Sequence, residues 1–246
     1  MAWPFNLTIR RTAMEKAQRI QALSKLLSEQ GATHLNEVAR RLGVSPMTVR
    51  RDLARHADTF ACLGGYVAWA RQAASGYLFE SEKDHYAAAK KAACRSALRH
   101  VRERDTIFVD CGTTMLALAQ LIPDELRLTV ICYSLAAAEI LKRKPNVRLL
   151  LLGGWYMSSS DSFGGEEALA ALADKGVNTA FISAGGVDRE YGVSCWNPHE
   201  KAVKQQAMKM ADRSYLVADS SKFGQRRPIR FARIESFDAV ITEHDK

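Results

Sequence analysis

The stretch "TIFVDCGTTMLALAQLI" passes from apolar residues through Asp110-Cys111-Gly112-Thr113-Thr114 into an apolar helical pattern. Residues of these types in this order hold anions. Gly112 lets backbone N–H groups approach a phosphate, Thr113 and Thr114 add hydroxyl donors, and a helix starting there turns its positive end to the same point. Asp110 would repel phosphate, so its expected part is to organise the loop or to accept from a sugar hydroxyl. Lys222, in "DSSKFG", offers a compact positive charge. Glu200 and Lys204 lie four apart on a helical pattern. They are either part of the same site or an ordinary surface pair of little energetic weight. Tyr133 and Asn197 are suited to bonding a sugar, and equally to a structural role.

A second constellation lies upstream. In "SPMTVRRDL", Ser45 suits a helix N-cap, because its hydroxyl can accept from the free N–H groups of the first turn. Pro46 suits the first helical position, where its missing N–H costs little. Val49 and Leu53 are four apart and face a core, which leaves Met47, Thr48, Arg50 and Arg51 pointing outward. Arginine can bond guanine O6 and N7 together through its planar fork, and threonine can reach a base, a phosphate or a thymine methyl. Ser45, Met47, Thr48, Arg50 and Arg51 are therefore the candidate DNA-binding residues, with Asp52 expected to orient an arginine.

Helices must position that basic segment. "EKAQRIQALSKLLSEQG" places Ile20, Leu23 and Leu27 on one face, with Gly31 as a stop, and "LNEVARRLG" places Leu35, Val38, Ala39 and Leu42 at i, i+3, i+4 and i+7 before Gly43. Helix, glycine turn and basic helix make a helix-turn-helix. Residues 1–56 hold ten Lys/Arg against four Asp/Glu, so most of the chain's +8 surplus sits in its first quarter, beside a nearly neutral body. That asymmetry fits a nucleic-acid-binding module. In "ACLGGYVAWA", apolar residues flank Gly64-Gly65 as in a short hairpin, and residues 70–82 read as a linker.

Strands and helices alternate from residue 83 onward. The extended runs "TIFVDCG", "LTVICYS", "VRLLLLGG", "TAFISAGG", "YLVADSS" and "FDAVITE" are nearly continuous in apolar residues, as in a parallel sheet covered on both faces. Their ends carry small or hydrogen-bonding residues: Asp110 to Thr114, Tyr133-Ser134, Gly153-Gly154, Ser183 to Gly186 and Asp219 to Lys222. Ligands of open α/β sheets bind beyond such ends. One shared pocket is therefore expected, formed from Asp110, Gly112, Thr113, Thr114, Tyr133, Ser134, Gly154, Gly186, Asn197, Glu200, Lys204 and Lys222.

Other classes lack support. No run approaches the ~20 apolar residues of a membrane span, and the N-terminal residues do not read as a secretion signal. The five cysteines are widely spaced without a C-x-x-C pair, and the six histidines lack ligand spacing. Reduced thiols, a cytoplasmic setting and no metal or cofactor are expected.

The spacing Arg19, Leu23, Leu27 and then Ser45-x-x-Thr48-Val49-Arg50-Arg51-Asp52-Leu53 resembles the DNA-binding domain of the DeoR family of bacterial transcriptional regulators. "DCGTT", "LLGG", "SAGGVD", "HEKAVKQQAM" and "DSSKFG" look like that family's sensor domain, which is related to ribose-5-phosphate isomerase. The resemblance implies a winged helix-turn-helix over residues 1–69, a linker over 70–82, and a mostly parallel α/β sensor over 83–246. It also implies a homo-oligomeric repressor that leaves operator DNA when a sugar phosphate binds. The runs "CLGGY", "CYSL", "SKFG" followed by "RP", and "FDAVIT" extend the implication to deoxyribose-5-phosphate and nucleoside catabolic genes.

Two enzymatic readings compete. An active isomerase needs a general base with partners for the carbonyl oxygen. Glu200 stands where the resemblance puts that base, but the isomerases' paired aspartates are reduced here to Asp188, displaced along "ISAGGVD". A CoA-transferase would need a glutamate nucleophile, and Glu166 and Glu167 are more simply residues of a helix start. A sensor without catalysis is the expectation.

Overall fold

The computed structural model describes residues 15–30, 33–63, 66–70 and 86–245. The expected turn glycines Gly31, Gly64 and Gly65 and, beyond Ala70, the expected linker lie outside these residues. The chain divides between Ala74 and Ser75 into two compact units.

The smaller unit contains α1 (Lys16–Gln30), β1 (Thr33–His34), α2 (Leu35–Leu42), α3 (Pro46–Ala54), β2 (Phe60–Leu63) and β3 (Tyr66–Trp69). Leu35, Val38, Ala39 and Leu42 of α2 are all buried, as their spacing requires. Gly43 then turns the chain with φ 66° and ψ 31°, a conformation that costs a residue without Cβ little. Ser45 Oγ accepts from Thr48 N at 3.1 Å, and Pro46 opens α3. Leu23, Leu27, Val38, Val49, Leu53, Phe60 and Val67 close one core. The expected hairpin is present, with β2 and β3 antiparallel and Phe60 opposite Trp69. A third strand, β1, pairs with β3 through Thr33 and Val67, and its two residues are too few to carry a period.

The larger unit contains α4 (Ala87–Ala97), β4 (Thr106–Val109), α5 (Thr113–Leu121), β5 (Leu128–Cys132), α6 (Leu135–Leu141), β6 (Val147–Leu151), β7 (Trp155–Met157), β8 (Ser162–Gly164), α7 (Glu166–Ala173), β9 (Val177–Ile182), β10 (Gly186–Asp188), β11 (Gly192–Cys195), α8 (Pro198–Met210), β12 (Ala211–Val217), β13 (Ile229–Ala232) and β14 (Ala239–Ile241). Six strands form a parallel sheet in the order β14-β12-β9-β4-β5-β6. Successive side chains of a strand point to opposite faces, and the sheet separates two apolar layers. Ile107, Val109, Val130, Cys132, Phe181, Tyr215 and Val217 pack with α4, α5 and α6. Phe108, Ile131, Ala180, Ile182 and Leu216 pack with α7 and α8 on the other side. Each large side chain withdrawn from water in this way contributes about 1.5–3 kcal/mol, so both faces of the strands must be apolar.

The strand order sets the place of the site. From β4 the chain builds outward through β5 and β6, then returns to build β9, β12 and β14 on the other side. The loops leaving β4 and β9 therefore diverge at a topological switch point, where open α/β sheets form their ligand crevice. Two antiparallel pieces, β7-β8 and β10-β11-β13, supplement the sheet. Among the described residues no helix is long and apolar enough to cross a membrane, and all five cysteines are free thiols.

Candidate functional site

The first candidate surface is α3. Val49, Asp52 and Leu53 are buried, while Met47, Arg50 and Arg51 are exposed. Thr48 is partly exposed, and its Oγ1 lies 2.9 Å from Ser45 Oγ at the helix start. Asp52 does not face outward. It accepts from Arg19 Nε at 2.8 Å and Nη2 at 3.2 Å, a two-bonded bridge from α1 to α3. Its charge is thus cancelled inside the unit, and the outward side of α3 keeps the positive charge of Arg50 and Arg51.

The second is a cavity at the switch point. It is lined by Cys111, Gly112, Thr113 and Thr114 after β4, and by Ser183, Ala184 and Gly185 after β9. Glu200 and Lys204 of α8, with Ser160, Trp196, Lys222 and Arg227, complete the wall. Its empty volume, open mouth included, is about 540 Å³. Gly112 takes φ 98° at the N-cap of α5, and a Cβ there would lie 3.1 Å from Ser183 Oγ. The free N–H groups of α5 therefore open at the cavity, with Thr113 and Thr114 in its first turn. Lys90 steadies this turn from α4, donating to Thr113 Oγ1 at 2.9 Å.

Beneath the cavity lies a closed polar cluster. Asp110 is fully buried and accepts from Tyr133 Oη at 2.6 Å, Ser183 N at 2.7 Å and Ser183 Oγ at 2.8 Å, and it is ion-paired with Lys204. Lys204 also donates to Ser183 O at 3.2 Å and lies 5.4 Å from the centre of the Phe231 ring. Burial alone would lower its pKa, but the Asp110 carboxylate together with the other acidic groups around it, Glu200 among them, outweighs burial, and the ammonium is held charged above its ordinary range. Glu200 is buried, accepts from Asn197 Nδ2 at 2.5 Å and stands 4.0 Å from Lys204. Burial raises its carboxyl above the ordinary value despite the neighbouring lysine. A surface pair would be exposed, so the alternative left open for Glu200 and Lys204 is excluded. Burial likewise pushes the Cys111 thiol and the Tyr133 hydroxyl well up, and both stay neutral.

Six expected pocket residues line the cavity: Gly112, Thr113, Thr114, Glu200, Lys204 and Lys222. The other six do not, each for a physical reason. Asp110 is saturated by its donors. Tyr133 is fully buried and spends its hydroxyl on Asp110. Ser134 is the N-cap of α6, accepting from Ala137 N at 3.3 Å. Gly154 takes φ 123°, and a Cβ there would come within 2.5 Å of Gly164 O, so it closes the β7-β8 hairpin. Gly186 lets the segment bearing Lys222 and Arg227 approach, since a Cβ would meet Gln225 O at 2.4 Å. Asn197 holds Glu200. Of the five strand ends expected to share one pocket, those after β4, β9 and β12 do so. Ser160, Trp196 and Arg227 line the cavity without having been foreseen. Their segments, "SSSDS", "CWNP" and "QRRP", carry no period and read as loop residues.

The groups required for isomerisation are not assembled. Asp188 accepts from Tyr191 N at 2.7 Å and from Arg226 Nη2 at 3.0 Å in the β10-β11 turn, which holds its carboxyl below the ordinary range, and it does not line the cavity. Glu166 and Glu167 occupy the first turn of α7.

Family models match both units. A DeoR-like helix-turn-helix domain matches residues 19–71, and a DeoR C-terminal sensor domain matches residues 85–244. The two units are those of a DNA-binding transcriptional regulator with a sensor domain, not of an enzyme. The chain belongs to the DeoR family, as its motifs implied. It is 37% identical to the deoxyribose operon repressor of Escherichia coli (strain K12), over 93% of this chain and 90% of that protein. It is 26% identical to the glycerol-3-phosphate regulon repressor of the same strain, over 94% of this chain and 92% of that one. Among solved structures, eIF2B delta from Chaetomium thermophilum aligns over 66% of this chain and 58% of its own with a TM-score of 0.50 at 13% identity, a likeness of fold alone. Ribose 5-phosphate isomerase A from Neisseria gonorrhoeae aligns over 56% of this chain and 53% of its own, with a TM-score of 0.42 at 15% identity.

Proposed function

We propose that this protein is a transcriptional repressor that binds operator DNA through α3 and releases it when a phosphorylated sugar occupies the cavity. The observation that carries this reading is the opening of the α5 N-terminus, with Gly112, Thr113 and Thr114, into a cavity at the switch point. Such a terminus favours phosphate through its free N–H groups and its dipole, and Lys222 adds a cation. Asp219 caps the turn that carries Lys222, accepting from Ser221 N at 3.1 Å. Deoxyribose-5-phosphate is the proposed effector and genes of deoxyribonucleoside catabolism the proposed targets. This finer step rests on the 37% identity to a deoxyribose operon repressor.

In this reading Ser45, Met47, Thr48, Arg50 and Arg51 contact DNA, and the DNA-binding domain, linker and sensor span residues 1–69, 70–82 and 83–246. The protein acts in the cytoplasm as a homo-oligomer that matches paired operator half-sites. Catalysis has no part in it: Asp188, which stands for the isomerases' paired aspartates, is held by Arg226 and does not line the cavity. A thermal-shift series with phosphorylated pentoses, hexoses and polyols tests the reading, because a ligand of the folded state raises the unfolding temperature. Deoxyribose-5-phosphate should stabilise the protein and unphosphorylated deoxyribose should not. Stabilisation by neither, or by both alike, contradicts it.

A further inference from the structure

We propose that Arg227 grips the anionic group of the effector, and that Trp196 and Gly185 hold its guanidinium ready for that task. The inference rests on the sugar-phosphate reading above and gives a role to Arg227, which stands in the "RP" run after "SKFG" but carried no site assignment there.

Arg227 lines the cavity together with Gly112, Thr113, Thr114 and Lys222. Three contacts fix it. Its guanidinium lies 4.6 Å from the centre of the Trp196 ring, its Nε donates to Gly185 O at 2.9 Å, and its backbone N–H donates to Ser194 Oγ at 2.9 Å. Gly185 leaves room for this arrangement. A Cβ there would stand 3.0 Å from Arg227 Cγ and 3.2 Å from the Trp196 ring, so a larger residue would make both give by a few tenths of an ångström.

Among the described residues no counter-charge compensates Arg227. Its neighbour Arg226 is ion-paired with Asp188 at 3.0 Å and Glu190 at 3.4 Å, and Lys204 is ion-paired with Asp110. Among the described residues Arg227 pairs with no carboxylate, and the N–H groups on its two terminal nitrogens carry no hydrogen bond. A long side chain is ordinarily free to move, and ordering it costs rotamer entropy. Here the side chain is ordered by stacking and by Nε alone, which leaves the two terminal nitrogens as a preformed fork. Such a fork matches two oxygens of a phosphate, a geometry that the point charge of a lysine cannot reproduce. In "QRRPIR" two arginines stand side by side, and only the fold separates Arg226, paired with Asp188, from the cavity-lining Arg227.

Isothermal titration of the full-length protein tests the inference. Deoxyribose-5-phosphate, inorganic phosphate, a sugar acid without phosphate and unphosphorylated deoxyribose are titrated into wild type, Arg227→Met, Arg227→Lys and Arg226→Met. Arg227→Met should weaken the phosphate ester and inorganic phosphate by about tenfold or more. Arg227→Lys should recover only part of that loss, and Arg226→Met should bind like wild type. If Arg227→Met does not fold, the comparison of Arg227→Lys with wild type decides, since charge is kept and only the fork is lost. Wild-type affinity for the ester in the Arg227 variants overturns the inference and leaves the sugar-phosphate reading standing. Binding of inorganic phosphate or the sugar acid through Arg227, without binding of any sugar ester, upholds the anion grip and overturns the effector. If wild type binds none of the anions, both fall.

Discussion

Asp110 illustrates what a residue's type and place in the sequence do and do not reveal. Its position before a glycine and two threonines pointed to a site at the loop, and Gly112, Thr113 and Thr114 line the cavity. The ion pair that neutralises Asp110 comes from Lys204, ninety-four positions away, and no local pattern could announce it. Breaking one side of a buried ion pair strands a charge, at a cost of about 3–5 kcal/mol. Asp110→Ala should therefore lower the sensor's stability by roughly that amount, read as a shift in the urea midpoint. An unchanged midpoint would mean that the pair is not a support of the site. Residues on the cavity wall should behave differently. Thr114→Ala and Lys222→Ala should keep the fold and lose effector affinity, so that operator DNA stays bound when effector is added. On α3, Arg50→Ala and Arg51→Ala should each cost about 1–3 kcal/mol of operator affinity and leave effector binding intact. Wild-type operator binding by both variants would remove α3 from the interface.

At the scale of elements, the legible parts were those with strong periodicity. The six parallel strands declared themselves because their runs are nearly continuous in apolar residues, and α2 because its apolar residues recur at helical spacing. The antiparallel pieces did not. β7 carries Trp155 and Tyr156 at 72% and 51% exposure, so its apolar residues mark no core, and β10 and β11 are short and rich in small residues. What fastens the β7-β8 hairpin to α8 is polar. His199 Nε2 lies 3.1 Å from Ser160 Oγ and 3.4 Å from Ser162 Oγ, and burial lowers its pKa to about 4. An imidazole held neutral in the fold, but free to protonate near its ordinary value when unfolded, stabilises the protein above that value. The contribution is lost as pH falls from about 6.5 towards 4. The loss should be on the order of 2 kcal/mol, reduced because the ring is partly exposed. Glu200, raised by burial, works in the opposite sense, so thermal unfolding of His199→Asn beside wild type isolates the effect. The variant should show a shallower fall between pH 7 and 5, and parallel curves would reject it. In the smaller unit the Arg19–Asp52 bridge has a similar fastening part, joining α1 to α3.

For the whole molecule, a basic helix-turn-helix and a ligand cavity in one chain make function a matter of linkage. The effector can weaken DNA binding only by favouring a state that binds DNA less well, and the coupling then acts equally in both directions. Because α3 presents arginines, operator affinity should also fall steeply with salt, by a slope of about −0.9 for each phosphate neutralised. A flat salt response would contradict phosphate contact. The two-unit division was legible in the sequence because charge and periodicity change together near residue 70, whereas the sugar above the phosphate was not, since an anion loop does not name its alcohol. The most direct test is fluorescence anisotropy of a duplex that the full-length protein itself has selected from a random pool, titrated with and without saturating deoxyribose-5-phosphate. The effector should weaken operator affinity by about 5- to 150-fold, the usual range of allosteric coupling, and unphosphorylated deoxyribose should leave it unchanged. The same affinity in both titrations, with calorimetry showing the effector bound, would contradict the account.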